Sequence, residues 1–418
     1  MKIGSGRFGW ITCLAATLAA TATLGACGSG GLGGSGSTPD APTNVSIKSG
    51  DQHVTVSWDG ESGVNYWIFC ASDPSITIDN WTTLANPASR IDATSPQMVT
   101  GLINGLNYSC IVNGRYDTDK GGDASPAVTA ATRPAGAEWV AETPWSSGNV
   151  NGIAFGNKTL VAVGDGGGLW YSTDNVTWTQ VTPLTSSNLN AVTYANSRFV
   201  TVGDGGVVLT STDGISWSAD TPNTSANLYA VQVLGSRYVA VGANGTLIHN
   251  GDGTDWDVVD VGTTQTLYGL AANNDSGVMV AVGAQGTMLR TTDTDTWTAV
   301  AAPVSTDLRA AAYGNGVFAV VGAGGTQLSS TDGSTWTQLP TLTGSTLNAV
   351  TYDANIVGEI TYSTRFVAVG DDGAALYSND GSDWGLTTSG TTASLRGLVF
   401  GLSRYKAVGA GGVTTASY

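Results

Sequence analysis

The sequence predicts an all-β chain in which a small β-sandwich is followed by a closed ring of seven four-stranded sheets. Three observations carry this. Val-Gly pairs ending at Gly164, Gly203, Gly242, Gly283, Gly322, Gly370 and Gly409 recur every 39 to 41 residues, with one interval of 48. Each interval holds about four short runs of period-two alternation between Gly-, Asn- and Asp-rich turns, and none has helical spacing. The last repeat stops at Tyr418 before its fourth strand, while residues 138–144 (EWVAETP), ahead of the first repeat, align with that strand in another copy, residues 216–222 (SWSADTP). Four short strands in about forty residues make one β-propeller blade. Two termini sharing one blade close the ring and leave no free sheet edge.

From the N terminus, Lys2 and Arg7 precede an apolar run over residues 10–24, too short and too rich in Ala and Thr for a membrane span. This pattern reads as a secretory signal over residues 1–26. Residues 24–27 (LGAC) resemble the lipobox of bacterial lipoproteins, which implies cleavage before Cys27 and diacylglycerol on its thiol. Gly28, rather than Asp, implies sorting to an outer membrane where the cell has one. An ordinary secretory signal with an incidental Cys is the alternative. Residues 27–40 then comprise the lipidated Cys and a Gly/Ser tether that holds the folded part off the membrane.

Residues 41–134 change to alternating apolar runs at 42–45, 54–58, 66–70, 101–108 and 127–132. The segment resembles a fibronectin type III domain, with Trp58 as the core Trp and residues 106–108 (LNY) as its tyrosine corner. Once Cys13 leaves with the signal and Cys27 carries lipid, Cys70 and Cys110 remain as an even pair in an oxidising compartment. In that fold their strands are neighbours, so the resemblance implies a Cys70–Cys110 disulfide, with two buried free thiols as the alternative. Residues 133–136 (RPAG) form a short junction to the ring, residues 137–418.

Within the second copy, residues 189–194, 198–202, 207–211 and 215–219 read as strands from the axis outward. Turns at 196–197, 204–206 and 213–214 carry Asn, Gly and Asp, which tolerate positive φ or bond nearby amides. In six copies an Asp turn precedes a Trp: Asp174/Trp178, Asp213/Trp217, Asp252/Trp256, Asp293/Trp297, Asp332/Trp336 and Asp380/Trp384. These turns resemble the Asp-box of sialidase-like and other BNR-type propellers, with one residue fewer between Asp and Trp. The resemblance implies a structural role, the Asp capping turn amides and the aromatic packing between blades. Each turn has too few carboxylates for calcium. The repeats also look like those of photosystem II assembly-factor propellers, a likeness of fold. The sixth copy carries nine extra residues between Tyr352 and Arg365.

Several chemistries are disfavoured by composition. The ring segment holds only Glu138, Glu142 and Glu359, and Arg198, Arg237, Arg365 and Arg404 occupy one repeated slot, which reads as structural. That leaves little for a sialidase-like mechanism. His53 and His249 are the only histidines, which disfavours a Ser-His-Asp triad or a His-based metal site, and no metal or cofactor is expected. Paired carboxylates among Asp165, Asp204, Asp371 and Asp372 keep a glycosidase open. The net charge of −16, more negative once Lys2 and Arg7 are removed, argues against nucleic acid.

Strand starts and the turns between second and third strands share one end of a propeller. There the residue before the small Ala or Gly of each inner strand is Asn151, Asn190, Tyr229, Tyr268, Arg309, Asn348 and Arg396. Such a polar and aromatic ring suits hydrogen bonding and stacking to a sugar or peptide; a water-filled rim is the alternative. Trp145, in the connection before the first repeat, adds a candidate exposed aromatic, with core packing as the alternative. The expectation is an exported, lipid-anchored cell-envelope binding protein, monomeric, recognising glycan or protein and touching the membrane only through its anchor. The alternatives are a secreted glycoside hydrolase or a purely structural envelope component.

Overall fold

The computed structural model describes residues 38–417 except 51, 117–120, 134, 135, 137, 251–254, 358, 359 and 403, with main chain alone over 353–357 and 360–364. Cys27, the signal and most of the tether lie outside the described residues, as does Asp252.

The first unit has seven strands: β1 (Thr43–Gly50), β2 (His53–Asp59), β3 (Asn65–Ala71), β4 (Ala88–Ala93), β5 (Gln97–Thr100), β6 (Asn107–Arg115) and β7 (Val128–Ala131). They form two antiparallel sheets, β1-β2-β5 and β4-β3-β6-β7. Between them Val54, Val56, Trp58, Ile68, Val99, Tyr108 and Val112 make one core, supplied by the inward positions of each alternating strand. Cys70 opposes Cys110 across β3 and β6, and the two form a disulfide. The run at 101–106 is a turn rather than a strand. It is held because Tyr108 Oη accepts the Ile103 N–H at 3.2 Å.

The second unit is seven four-stranded antiparallel sheets, six of them simple meanders. The innermost strands are Val150–Gly156, Leu189–Ala195, Leu228–Leu234, Leu267–Asn273, Leu308–Gly314, Leu347–Val357 and Leu395–Gly401. Each packs on the next, and the last packs on the first, so the sheets encircle an axis. Apolar layers fill the spaces between neighbouring sheets, with the second strands almost wholly buried. The repeated Val-Gly ends such a strand because the backbone passes close to the segment that leads into the inner strand of the same sheet: a Cβ on Gly203 would lie 2.1 Å from the Asn188 carbonyl oxygen.

The seventh sheet closes the ring. Its outer strand, β8 (Trp139–Glu142), comes from the other end of the repeat region and pairs with Thr414–Ser417 in the register Trp139↔Ser417 through Glu142↔Thr414. Lys406 in the second strand of this sheet is 1% exposed and ion-paired with Glu142. The extra residues of the sixth copy lengthen its first hairpin to two strands of 11 residues, Leu347–Val357 and Ile360–Gly370.

Each described Asp turn is built alike. Asp213 Oδ1 accepts the Ile215 and Ser216 N–H groups at 2.8 Å and the Ser211 hydroxyl at 2.9 Å. Asp174, Asp293, Asp332 and Asp380 accept the equivalent bonds. These donors hold the Asp174 carboxyl down at about 2 and lower those of Asp213, Asp293, Asp332 and Asp380. In four of the boxes the Trp precedes its outer strand rather than lying in it: Trp217 stands just ahead of Ser218–Asp220 and donates Nε1–H to the Gly214 carbonyl at 3.1 Å. Gly214 sits at φ 76°, with Val161 2.7 Å from where a Cβ would be. The turn places this residue in the left-handed region, which Gly214 enters without strain and Asn175 tolerates at φ 62°, while Thr294 is held there at φ 67°.

Candidate functional site

At one end of the ring, a small irregularity in every inner strand positions a side chain. In the second sheet Leu189 pairs with Gly203 and Ala191 with the adjacent Val202, so Asn190 has no cross-strand partner and forms a β-bulge. The same step falls at Asn151, Tyr229, Tyr268, Arg309, Asn348 and Arg396. Bulges re-aim side chains, and these seven line a single cavity of about 200 Å³ at the mouth of the ring. The residue after each bulge is small because inner strands nearly touch: a Cβ on Gly269 would lie 2.9 Å from the Ala310 Cα.

The seven positions are of two kinds. Asn190 uses both amide hydrogens within the protein, one to Asp204 Oδ1 at 2.9 Å and one to the Leu228 carbonyl of the next sheet at 2.9 Å. Asn151 does the same with Asp165 and Leu189, and Asn348 with Asp371 and Leu395. These three asparagines tie a sheet to its own turn and to its neighbour. Their donors are committed, so of the ligand contacts expected of them the Oδ1 acceptors of Asn190 and Asn348 remain, while Asn151 Oδ1 already accepts from Arg396.

Among the described residues the other four lack the bond to their own turn, and the turns explain it. Where the ring residue is Asn, the turn after the Val-Gly pair begins with Asp165, Asp204 or Asp371; where it is Tyr229, Tyr268, Arg309 or Arg396, the turn begins with Ala243, Ala284, Ala323 or Ala410. Without an Asp to hold it, the longer side chain is free to reach the mouth. Tyr229 and Tyr268 lie with ring centroids 5.8 Å apart, and the Arg309 guanidinium stacks 4.5 Å from the Tyr268 centroid while pairing with Asp307 at 3.1 Å. Three planar groups in consecutive sheets thus form one arc. Arg396, in the seventh sheet, donates to Asn151 Oδ1 at 2.9 Å and has no carboxylate partner among the described residues.

Comparison with known proteins agrees with this architecture. No family model matches the chain, and no curated protein matches it. Among solved structures, it is similar to YCF48 from Cyanidioschyzon merolae, at 18% identity and a TM-score of 0.53, over 68% of this chain and 99% of that one. It is also similar to the WD40 β-propeller domain of Doa1, at 12% identity and a TM-score of 0.55, over 68% and 97%. The chain carries a β-propeller. At these identities the likeness is one of fold.

One candidate resolves to its alternative, packing. Trp145 is not an exposed aromatic: it is half-buried, stacked on Trp178 at 4.3 Å and tilted against Trp170 at 5.4 Å. Its packing partner is available because Trp178 does not make the Nε1 bond to the carbonyl three residues back that Trp217, Trp297, Trp336 and Trp384 make. In that box the Asn175 carbonyl instead accepts from Lys406 at 3.4 Å and Arg404 at 3.5 Å. The turn carboxylates considered for glycoside hydrolysis are also engaged. Asp165 is bonded by Asn149 and Asn151, Asp204 by Asn188 and Asn190, Asp371 by Asn348 and Ser394, and Asp372 by Ser345.

Proposed function

We propose that the protein is an exported binding module, lipid-anchored through Cys27, whose seven-bladed propeller recognises a glycan or protein of the cell envelope at its mouth. The observation that carries this reading is the Tyr229–Tyr268–Arg309 arc, standing in the sectors whose turns lack Asp. Stacked planar side chains with a guanidinium at one end, converging on an open cavity, form a recognition surface rather than a packing solution. The engaged turn carboxylates favour binding over hydrolysis. The first unit is read as a fibronectin type III spacer, supported by the two-sheet core around Trp58 and by the backbone contact of Tyr108. The Cys70–Cys110 disulfide suits an oxidising compartment.

A glycan array and an envelope pull-down with the full-length protein test the reading. Binding that is lost in the Arg309→Ala plus Arg396→Ala variant, with unchanged thermal unfolding, is the expected result. Binding that survives this variant and Tyr268→Ala would remove the mouth from consideration.

A further inference from the structure

We infer that the mouth takes an acidic saccharide, with a sugar ring lying on the Tyr229–Tyr268–Arg309 platform and its carboxylate held by Arg396; this rests on the recognition role proposed above. The platform spans the third, fourth and fifth sheets, and the seventh sheet, which carries Arg396, stands across the ring from Tyr268. Tyrosine faces accept the C–H face of a pyranose; the Tyr229 and Tyr268 rings are tilted by 42° to one another, and the Arg309 guanidinium covers one face of Tyr268 and leaves its other surfaces to the sugar.

Charge assigns the acidic group. Arg309 is already compensated by Asp307, whereas among the described residues Arg396 is bonded to the neutral Asn151 side-chain oxygen and to no carboxylate. A guanidinium presents a planar fork that matches a carboxylate in two parallel hydrogen bonds. The chain's net charge of −16 opposes the approach of any anion, so this cation acts at contact range. Asn190 and Asn348, whose amide hydrogens are fixed, each keep an Oδ1 acceptor, complementary to hydroxyl donors. A cavity of about 200 Å³ offers room for a ring-sized group.

The test is calorimetric titration of the full-length protein with galacturonate and glucuronate oligosaccharides and with their methyl esters, which keep the shape and remove the charge. The acids are expected to bind at least about tenfold more tightly than the esters, a difference worth about 1.4 kcal/mol. Arg396→Gln should abolish that difference without shifting the unfolding midpoint, and Tyr268→Ala should weaken acids and esters together. Equal binding of acids and esters, with Tyr268→Ala weakening both, would overturn the anionic assignment while leaving recognition at the mouth intact. Binding of peptides ending in an aromatic residue, with no binding of any acidic oligosaccharide, would overturn the saccharide. Wild-type binding to acids that neither variant changes would sink the site and the recognition reading together.

Discussion

The Ser417 hydroxyl accepts the backbone N–H of Gly136 at 2.6 Å across 281 residues of sequence, the contact that Ser211 makes with Gly214 at 2.8 Å inside a single turn. Trp139 Nε1 donates to the Gly136 carbonyl at 3.1 Å, as Trp217 does to Gly214. The seventh sheet therefore rebuilds, from two distant stretches, the turn that other sheets make locally, and does so without the Asp. Noncovalent contacts replace a covalent turn, so the ring opens most readily here.

Trp139 is buried against Val367, Leu398 and Tyr405. Trp139→Ala should cost about 3–5 kcal/mol from lost burial and the cavity left behind. Chemical denaturation measures it, and a loss under about 1 kcal/mol would mean that β8 does not hold the ring.

A second lock lies beside the first. Lys406 Nζ is buried against the Glu142 carboxylate, with Arg404 3.7 Å from the same group. Burial pushes the Lys406 ammonium pKa down, and Glu142 opposes that shift. Glu142→Gln strands the ammonium and is expected to destabilise by about 3–5 kcal/mol, whereas Lys406→Met with Glu142→Leu should recover most of it. A double-mutant cycle on unfolding free energies reads the coupling, and additive losses would count against the lock.

The Asp turns give the protein an acid limit. Their carboxyls titrate below the ordinary value of 3.8 when folded, Asp174 at about 2. A depressed folded pKa contributes stability that is complete above the unfolded value and is lost as pH falls through the folded one. Stability should therefore decline from about pH 4 toward about pH 2. Asp332→Asn, which keeps the acceptor and removes the charge, should flatten part of that decline in unfolding midpoints. An unchanged pH slope would show that the turn charge is not involved.

Much of this architecture is legible in the chain itself. The forty-residue period, the shared seventh sheet and the seven mouth positions follow from Val-Gly pairs, the Trp139 stretch and the apolar-polar-small triplets of the inner strands. Strands β4 and β5 were not legible, since residues 88–93 and 97–100 mix charged, polar and apolar side chains with little alternation. At the mouth, Asn190 goes with Asp204 and Tyr268 with Ala284, a correlation between two slots that the sequence reading did not draw. Its meaning needed the fold, because only the bulge brings those slots within hydrogen-bond reach. The sequence left Trp145 open between exposure and packing because an aromatic in a connection has no periodicity to show which way it faces.

Anchoring is tested apart from folding. Cys27→Ser removes the thiol that would carry lipid, and the variant should move from the detergent phase to the aqueous phase in phase-separation experiments. Equal partitioning of wild type and variant would remove the lipid anchor from the reading.

The two kinds of mouth position should be interchangeable by design. Asn190→Ala deletes two hydrogen bonds between and within sheets and is expected to destabilise by about 1–3 kcal/mol, with little effect on ligand. Tyr268→Ala should do the reverse, because its ring is half-exposed and its partners are Tyr229 and Arg309. Installing Asn at 268 together with Asp at 284 supplies both halves of the tie that Asn190 makes with Asp204. That double variant, Tyr268→Asn with Ala284→Asp, should unfold at a midpoint equal to or above wild type while losing the stacking surface and the binding that depends on it. If it unfolds as poorly as Asn190→Ala, the Asn–Asp pair is not the transferable clamp that its recurrence in three sheets implies.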